Sequence, residues 1–378
     1  MGAREARDVP SATGALVEFG VTVSAQPVPA DFQALVQAVT TAIGQGRFDD
    51  AEALLTASAD AYPDEQPTML YMWSCVSARL GQPEAAIRFI DAALARGYWY
   101  GERLLRESPS WQSLQGTDDF EVRVQQSLAR ASVMAAGHAF EVREPARRRG
   151  ASPMLMVLHS NGASARREID AWQPGADWLV VAPQSTQGLM TDAAIWDDQS
   201  RAMADLAHVL ELVSERYRID EAHVAIAGFS MGAETALRAA LRAVIPAQAF
   251  VLFGPGGPTI TDPDGWDPLI EGGRNLGLRG RVMVGEFEDP ELMTGAERTA
   301  AKLGAAGIPC RLERVPGARH ALPPDLPQRL QEALTDLYAG GGSSLLTAWT
   351  RGLQVDSSGA PPFPVSSTQR SSIRSSGS

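Results

Sequence analysis

Cysteine is nearly absent. The 378 residues hold two, Cys75 and Cys310, and they fall in segments of different character, which argues against a disulfide framework. Each reads as a small buried hydrophobe. Histidine is also scarce, at five, and no His/Cys group has the spacing of a metal site. No G-x-G-x-x-G follows a strand-like run, so neither a metal nor an organic cofactor is expected. Long apolar runs are missing: nothing approaches the roughly 20 residues of a membrane span. Met1-Gly2-Ala3-Arg4-Glu5-Ala6-Arg7-Asp8 leads into no apolar stretch of a secretory signal, and the expected location is cytoplasmic. Basic residues are outnumbered, 33 against 45 acidic, for a formal charge of -12. That balance argues against nucleic acid, which needs a basic stripe to displace counterions, and against an anionic membrane surface.

What remains is the composition of a soluble globular protein, 44% hydrophobic and 21% charged, with length enough for more than one domain. Residues 1–29 have no clear period and read as a loose arm. Residues 30–130 read as helices. Within them Gly46-Arg47-Phe48-Asp49-Asp50-Ala51 is echoed by Gly81-Gln82-Pro83-Glu84-Ala85-Ala86 at an offset of 35, within a residue of the tetratricopeptide period. Residues 131–339 alternate short apolar runs with amphipathic helices, the pattern of a doubly wound, mainly parallel α/β sheet with helices on both faces. Strands are expected at 138–143, 154–158, 178–183, 224–227, 249–253, 281–284 and 310–315, with helices over 199–217 and 326–337. Arg147-Arg148-Arg149-Gly150 reads as a solvated loop. Residues 340–378 are rich in Ser, Gly and Pro and read as a disordered tail.

The most informative string is Gly228-Phe229-Ser230-Met231-Gly232. It lies between the apolar run Val224-Ala225-Ile226-Ala227 and a helix-like run from Ala233. A G-x-S-x-G string in that setting is a strand, a sharp turn and a helix, with the serine strained and exposed at the apex. Glycines flank it because strand and helix approach too closely for a side chain. Ser230 is therefore a candidate nucleophile. It needs a base, and the base needs an orienting acid.

His320 is the candidate base. It sits in the Gly/Pro-bounded loop Val315-Pro316-Gly317-Ala318-Arg319-His320, after the last expected strand, where α/β sheets assemble their sites. His138, His208 and His223 lie in or beside expected strands and helices and read as structural. The candidate acid is Asp289, in the turn Gly285-Glu286-Phe287-Glu288-Asp289-Pro290. Glu288 is the neighbouring alternative, and Asp262, Asp264 and Asp267 lie in another acidic loop. The oxyanion left by attack on a carbonyl needs backbone donors. One is expected at Met231, directly after the serine. The other is expected at Asn161, in His159-Ser160-Asn161-Gly162 after an earlier strand, with His159 holding that loop. Trp196, Trp266 and Met231 are candidate pocket walls.

These residues together resemble the α/β-hydrolase superfamily, especially its carboxylesterase, phospholipase and dienelactone-hydrolase-like branches, over about residues 131–338. The elbow, the His-x-Asn-Gly loop and the chain order Ser, Asp, His carry the resemblance. It implies ester-type hydrolysis of a small-molecule substrate. The chain departs from the family at Ser160, where glycine is usual, and in an acid loop one residue longer before its aspartate. The expectation is a serine esterase with an N-terminal tetratricopeptide-like module. The alternative is a silent hydrolase scaffold whose helical module binds a partner protein or a second copy.

Overall fold

The structure is a computed structural model that describes residues 28–146 and 150–339. The expected arm over residues 1–29 (apart from its last two), the Ser/Gly/Pro tail and Arg147–Arg149 lie outside the described residues. The described residues begin with six α-helices: α1 (Phe32–Gly44), α2 (Phe48–Ala57), α3 (Gln66–Arg79), α4 (Pro83–Ala95), α5 (Glu102–Glu107) and α6 (Asp118–Ala136). The 35-residue echo is a repeated turn. Gly46 and Gly81 take φ of +72° and +74° with open space where a Cβ would stand, so each is glycine for its left-handed backbone. The N–H of Arg47 returns to the carbonyl of Ala42, and that of Gln82 to Ser77, at the same offset. Ala51 and Ala86 are both fully buried. Trp73 stacks on Phe89, and Trp111 donates its indole N–H to Ser74 Oγ at 2.9 Å. These aromatic contacts close a core built from the helical segment together with Met190 of the sheet segment.

The sheet segment follows. Its elements are β1 (Phe140–Arg143), β2 (Ser152–Leu158), α7 (Ala165–Glu168), β3 (Leu179–Pro183), β4 (Gly188–Met190), β5 (Ala193–Ala194), α8 (Gln199–Arg216), β6 (Ile219–Phe229) and α9 (Met231–Leu241). Then come β7 (Ala249–Phe253), α10 (Pro258–Thr261), α11 (Asp267–Gly273), β8 (Arg279–Gly285), α12 (Pro290–Ala305), β9 (Cys310–Val315) and α13 (Leu326–Ala339). Seven strands pair in the order β1-β3-β2-β6-β7-β8-β9. Only β1 runs antiparallel, against β3; every other pairing is parallel. The expected strand positions hold to within a few residues.

Both sheet faces are covered, which is why the central strands read as continuous apolar runs. In β2, Met154, Met156 and Leu158 point to a core with Leu206 and Leu237 of α8 and α9. Leu155 and Val157 point the other way, to a core with Leu330 and Leu334 of α13. Each such fully buried large side chain contributes about 1.5–3 kcal/mol relative to exposure.

The small β4–β5 hairpin was not legible in the pattern. Its strands have three and two residues, too short to show a period. It joins the two segments. Tyr100 forms an antiparallel bridge with Met190. The N–H of Gly101 reaches the Leu189 carbonyl at 2.7 Å, and that of Thr191 reaches Trp99 at 3.0 Å. On its other side, Ala194 bridges to Ala163, directly after the His159–Gly162 loop. The helical and sheet segments fall within one compact unit.

Candidate active site

Ser230 stands between β6 and α9 with φ +56° and ψ -125°, a left-handed conformation that a serine adopts only when its surroundings hold it there. Two glycines permit the turn. A Cβ at Gly228 would lie 2.5 Å from the backbone of Gly232, and one at Gly232 would lie 2.4 Å from the carbonyl oxygens of Leu158 and His159. The serine is then tied to the end of β7: its N–H donates to the Phe253 carbonyl and its own carbonyl accepts from Gly256, each at 3.1 Å. Gly232→Ala is expected to destabilise the fold by about 1–3 kcal/mol, because the collision is with backbone that cannot swing aside. Denaturant melts measure this, and an unchanged midpoint would contradict the close approach.

His320 follows β9 on a loop stitched to the turn after β8. A Cβ at Gly285 would lie 2.6 Å from the carbonyl oxygens of Ala318 and Arg319. The N–H groups of Glu286 and Phe287 donate to Val315 and Ala318, each at 2.9 Å. Glu286 in turn accepts from the Gly317 N–H at 2.8 Å. These contacts bring the imidazole between two partners. Nε2 lies 2.9 Å from Ser230 Oγ. Nδ1 lies 3.0 Å from both carboxylate oxygens of Glu288. The Glu288 side chain is 1% exposed and that of His320 is 37% exposed, so the pair runs from a dry end to a wet one. A carboxylate only accepts, which puts the imidazole proton on Nδ1 and leaves Nε2 to accept from the serine hydroxyl. Phe229 lies against the ring, with centroids 5.0 Å apart.

The acid expected at 289 is therefore corrected by one residue: Glu288, not Asp289, faces His320. Asp289 is the N-cap of α12, its Oδ1 accepting from Glu291 at 2.8 Å and Leu292 at 3.3 Å. With Pro290 at the first helical position, the aspartate side chain turns toward the helix end, where it satisfies orphan N–H groups. Its own N–H donates to Glu288 Oε1 at 3.0 Å. Asp264 and Asp267 pair with Lys302, and Asp262 is exposed in the same loop.

The two expected backbone donors differ in how they are placed. Met231 is the first residue of α9, so its N–H has no intrahelical acceptor and carries the positive end of the helix dipole. In the loop after β2 the neighbouring N–H groups are occupied. Ser160 donates to Glu168, Gly162 to Ala194 at 2.8 Å and Ala163 to Ser160 at 3.2 Å. The N–H of Asn161 donates to no group among the described residues. The Asn161 side chain is committed elsewhere, its Oδ1 accepting from Trp196 N–H at 2.8 Å and its Nδ2 donating to Asp197 at 2.9 Å. Asp197 also pairs with Arg103 of α5.

His159 is fully buried, and burial lowers its pKa to about 4. The ring is thus neutral at pH 7. Its Nδ1 donates to the Ser160 carbonyl at 2.8 Å, and its Nε2 accepts from Ser185 N–H at 3.3 Å. Trp196 donates its indole N–H to the His159 carbonyl at 2.8 Å, so it braces the loop. Trp266 is buried in the core under Arg238. Burial raises the Cys75 and Cys310 thiols to about 11 and about 12, which leaves both protonated at neutral pH. Among the described residues, no group of three or more His, Cys, Asp or Glu could hold a metal ion, and no helix is long and apolar enough to cross a membrane.

No protein-family model matches the chain, and no curated protein matches it. Solved structures do. An uncharacterized protein from Bacillus cereus ATCC 10987 is 21% identical, with a TM-score of 0.46, over 82% of this chain and 99% of that one. The esterase PE8 is 20% identical, with a TM-score of 0.43, over 53% of this chain and 98% of that one. Acyl-protein thioesterase 2 of Zea mays is 19% identical, with a TM-score of 0.40, over 53% and 99%.

Proposed function

We propose that this chain is a serine hydrolase of the α/β-hydrolase type that cleaves carboxylic esters. The observation that carries the reading is the imidazole of His320 bridging Ser230 Oγ and the buried Glu288 carboxylate at 2.9 and 3.0 Å. Ser230 Oγ attacks the ester carbonyl while its proton passes to His320 Nε2. Glu288 holds the ring in the accepting tautomer and stabilises the imidazolium that forms. The carbonyl oxygen, now negative, takes the N–H groups of Met231 and Asn161. Collapse of the tetrahedral adduct expels the alcohol, which leaves with the proton from Nε2, and the acyl group stays on Ser230. Water then gives a proton to Nε2 and attacks the acyl-serine. The acid departs and the serine recovers its proton. The same machinery suits thioesters and short peptide bonds, since acyl transfer is common to all three. The helical segment is read as a tetratricopeptide-like module fused to this catalytic fold.

A fluorophosphonate tests the reading, because it phosphonylates only a serine activated in this way. The folded chain is expected to hydrolyse p-nitrophenyl butyrate, to lose that activity on labelling, and to carry the adduct on the peptide containing Ser230. A folded chain with no adduct at Ser230 would overturn the proposal and favour a silent scaffold.

A further inference from the structure

Ser160 departs from the glycine usual at its position, and its surroundings show what the side chain does. Its hydroxyl donates to Glu168 Oε1 at 2.5 Å, and its N–H lies 3.2 Å from both oxygens of the same carboxylate. Two donors of one residue thus converge on one partly buried acid. Burial raises the Glu168 pKa, and the Ser160 contacts pull it back part of the way. A carboxyl kept in such a place has to be held by its partners.

Glu168 is itself firmly placed. It ends α7, a helix of four residues, which has no stability of its own. Tertiary contacts set its position instead. Ala165 and Ile169 are buried in the core, and the Ala165 N–H donates to Gln184 at 2.9 Å. Arg167 pairs with Glu65 of the helical segment at 2.7 Å. Arg143 donates to the Ile169 and Trp172 carbonyls.

Ser160 immediately precedes Asn161. Glu168 holds the N–H and hydroxyl of Ser160 and so anchors its Cα, while the Ser160 carbonyl, which shares a peptide plane with the Asn161 N–H, is held by His159 Nδ1 at 2.8 Å and the Ala163 N–H at 3.2 Å. Together these contacts set the direction in which the Asn161 N–H points. We infer that Glu168 is a positioning residue: acting through Ser160, it aims the Asn161 N–H at the oxygen that becomes negative when Ser230 attacks. The inference rests on the reading of the site given above. Glu168 itself touches no reacting atom. A donor displaced by about 1 Å typically costs up to about a hundredfold in rate.

The test uses the full chain, with active sites counted by fluorophosphonate titration so that misfolded protein does not enter kcat. Two measurements separate positioning from bulk stability: kcat and KM on p-nitrophenyl butyrate, and the Ki of an alkyl trifluoromethyl ketone, whose hemiketal oxyanion uses the same donors. Glu168→Ala is expected to lower kcat by about ten- to a hundredfold, to raise the ketone Ki in parallel, and to move KM little. Glu168→Gln should restore much of both, because its amide oxygen accepts the Ser160 N–H while its NH2 meets the hydroxyl oxygen. Ser160→Ala keeps the N–H contact and loses the other, and it should fall between. Wild-type kcat and ketone Ki in whichever of Glu168→Ala and Ser160→Ala folds would overturn the inference. Ser230→Ala run alongside keeps the two failures apart. If it abolishes turnover while the Glu168 and Ser160 variants behave as wild type, the site stands and the positioning role falls. If it leaves turnover intact, both fall.

Discussion

Glu288→Gln is expected to lower kcat/KM for a p-nitrophenyl ester by about a thousand- to ten-thousandfold, while Asp289→Ala leaves it within a few fold of wild type. The amide of glutamine is nearly isosteric with the carboxylate, so the fold is retained. Its NH2 can face Nδ1 as a donor, and the ring then carries its proton on Nε2. In that tautomer Nε2 cannot take the serine proton. Glutamine also brings no charge to stabilise an imidazolium, in a place where the wild-type side chain is 1% exposed and shielded from water. Asp289→Ala removes something different. It leaves the N–H groups of Glu291 and Leu292 without their cap, which costs about 1 kcal/mol of stability and appears in a thermal melt. The Asp289 N–H still donates to Glu288. The reverse pattern, with Asp289→Ala inactive and Glu288→Gln active, would return the acid to 289.

The one-residue slip shows which parts of the site the sequence carries. The elbow is legible because glycine spacing, the preceding apolar run and the following helix all act within a dozen residues. His320 is legible because histidines are few and its loop follows a strand. Choosing between adjacent carboxylates depends on where the turn ends and the helix begins. Asp289-Pro290-Glu291 does hold that information: a capping aspartate, a proline at the first helical position and an acid in the first turn form a helix-start signature. Read for capping, it commits Asp289 to the helix and frees Glu288 for the imidazole. The resemblance points both ways: its chain order Ser, Asp, His favours the aspartate, while its spacing, one residue shorter before the acid, keeps Glu288 in play.

The remaining gaps have a different cause. The β4–β5 hairpin is held by pairing with Tyr100 and Ala163, partners distant in sequence, and nothing local in residues 188–194 announces it. Likewise the Ser160–Glu168 contact depends on how a four-residue helix is pinned by Arg143 and Arg167. Strand positions and the burial of both sheet faces were readable because a strand covered on both sides writes itself as a continuous apolar run. The support beneath the loop after β2 was not, because it is built from single polar contacts between elements.

The three-residue arrangement also predicts how losses combine. Ser230→Ala is expected to lower kcat by about ten-thousand- to a millionfold, and His320→Ala by a similar factor. If Oγ, Nε2 and Glu288 act as one relay, the double variant should be no worse than either single one, since removing the nucleophile leaves nothing for the base to activate. The residual rate would come from the Met231 and Asn161 donors and from substrate binding, which both variants retain. Independent contributions would instead multiply, giving a double variant far below both singles. Rates of p-nitrophenyl butyrate turnover for the four proteins decide between these outcomes. Multiplicative losses would mean that the 2.9 Å contact between Ser230 and His320 is not the path the proton takes.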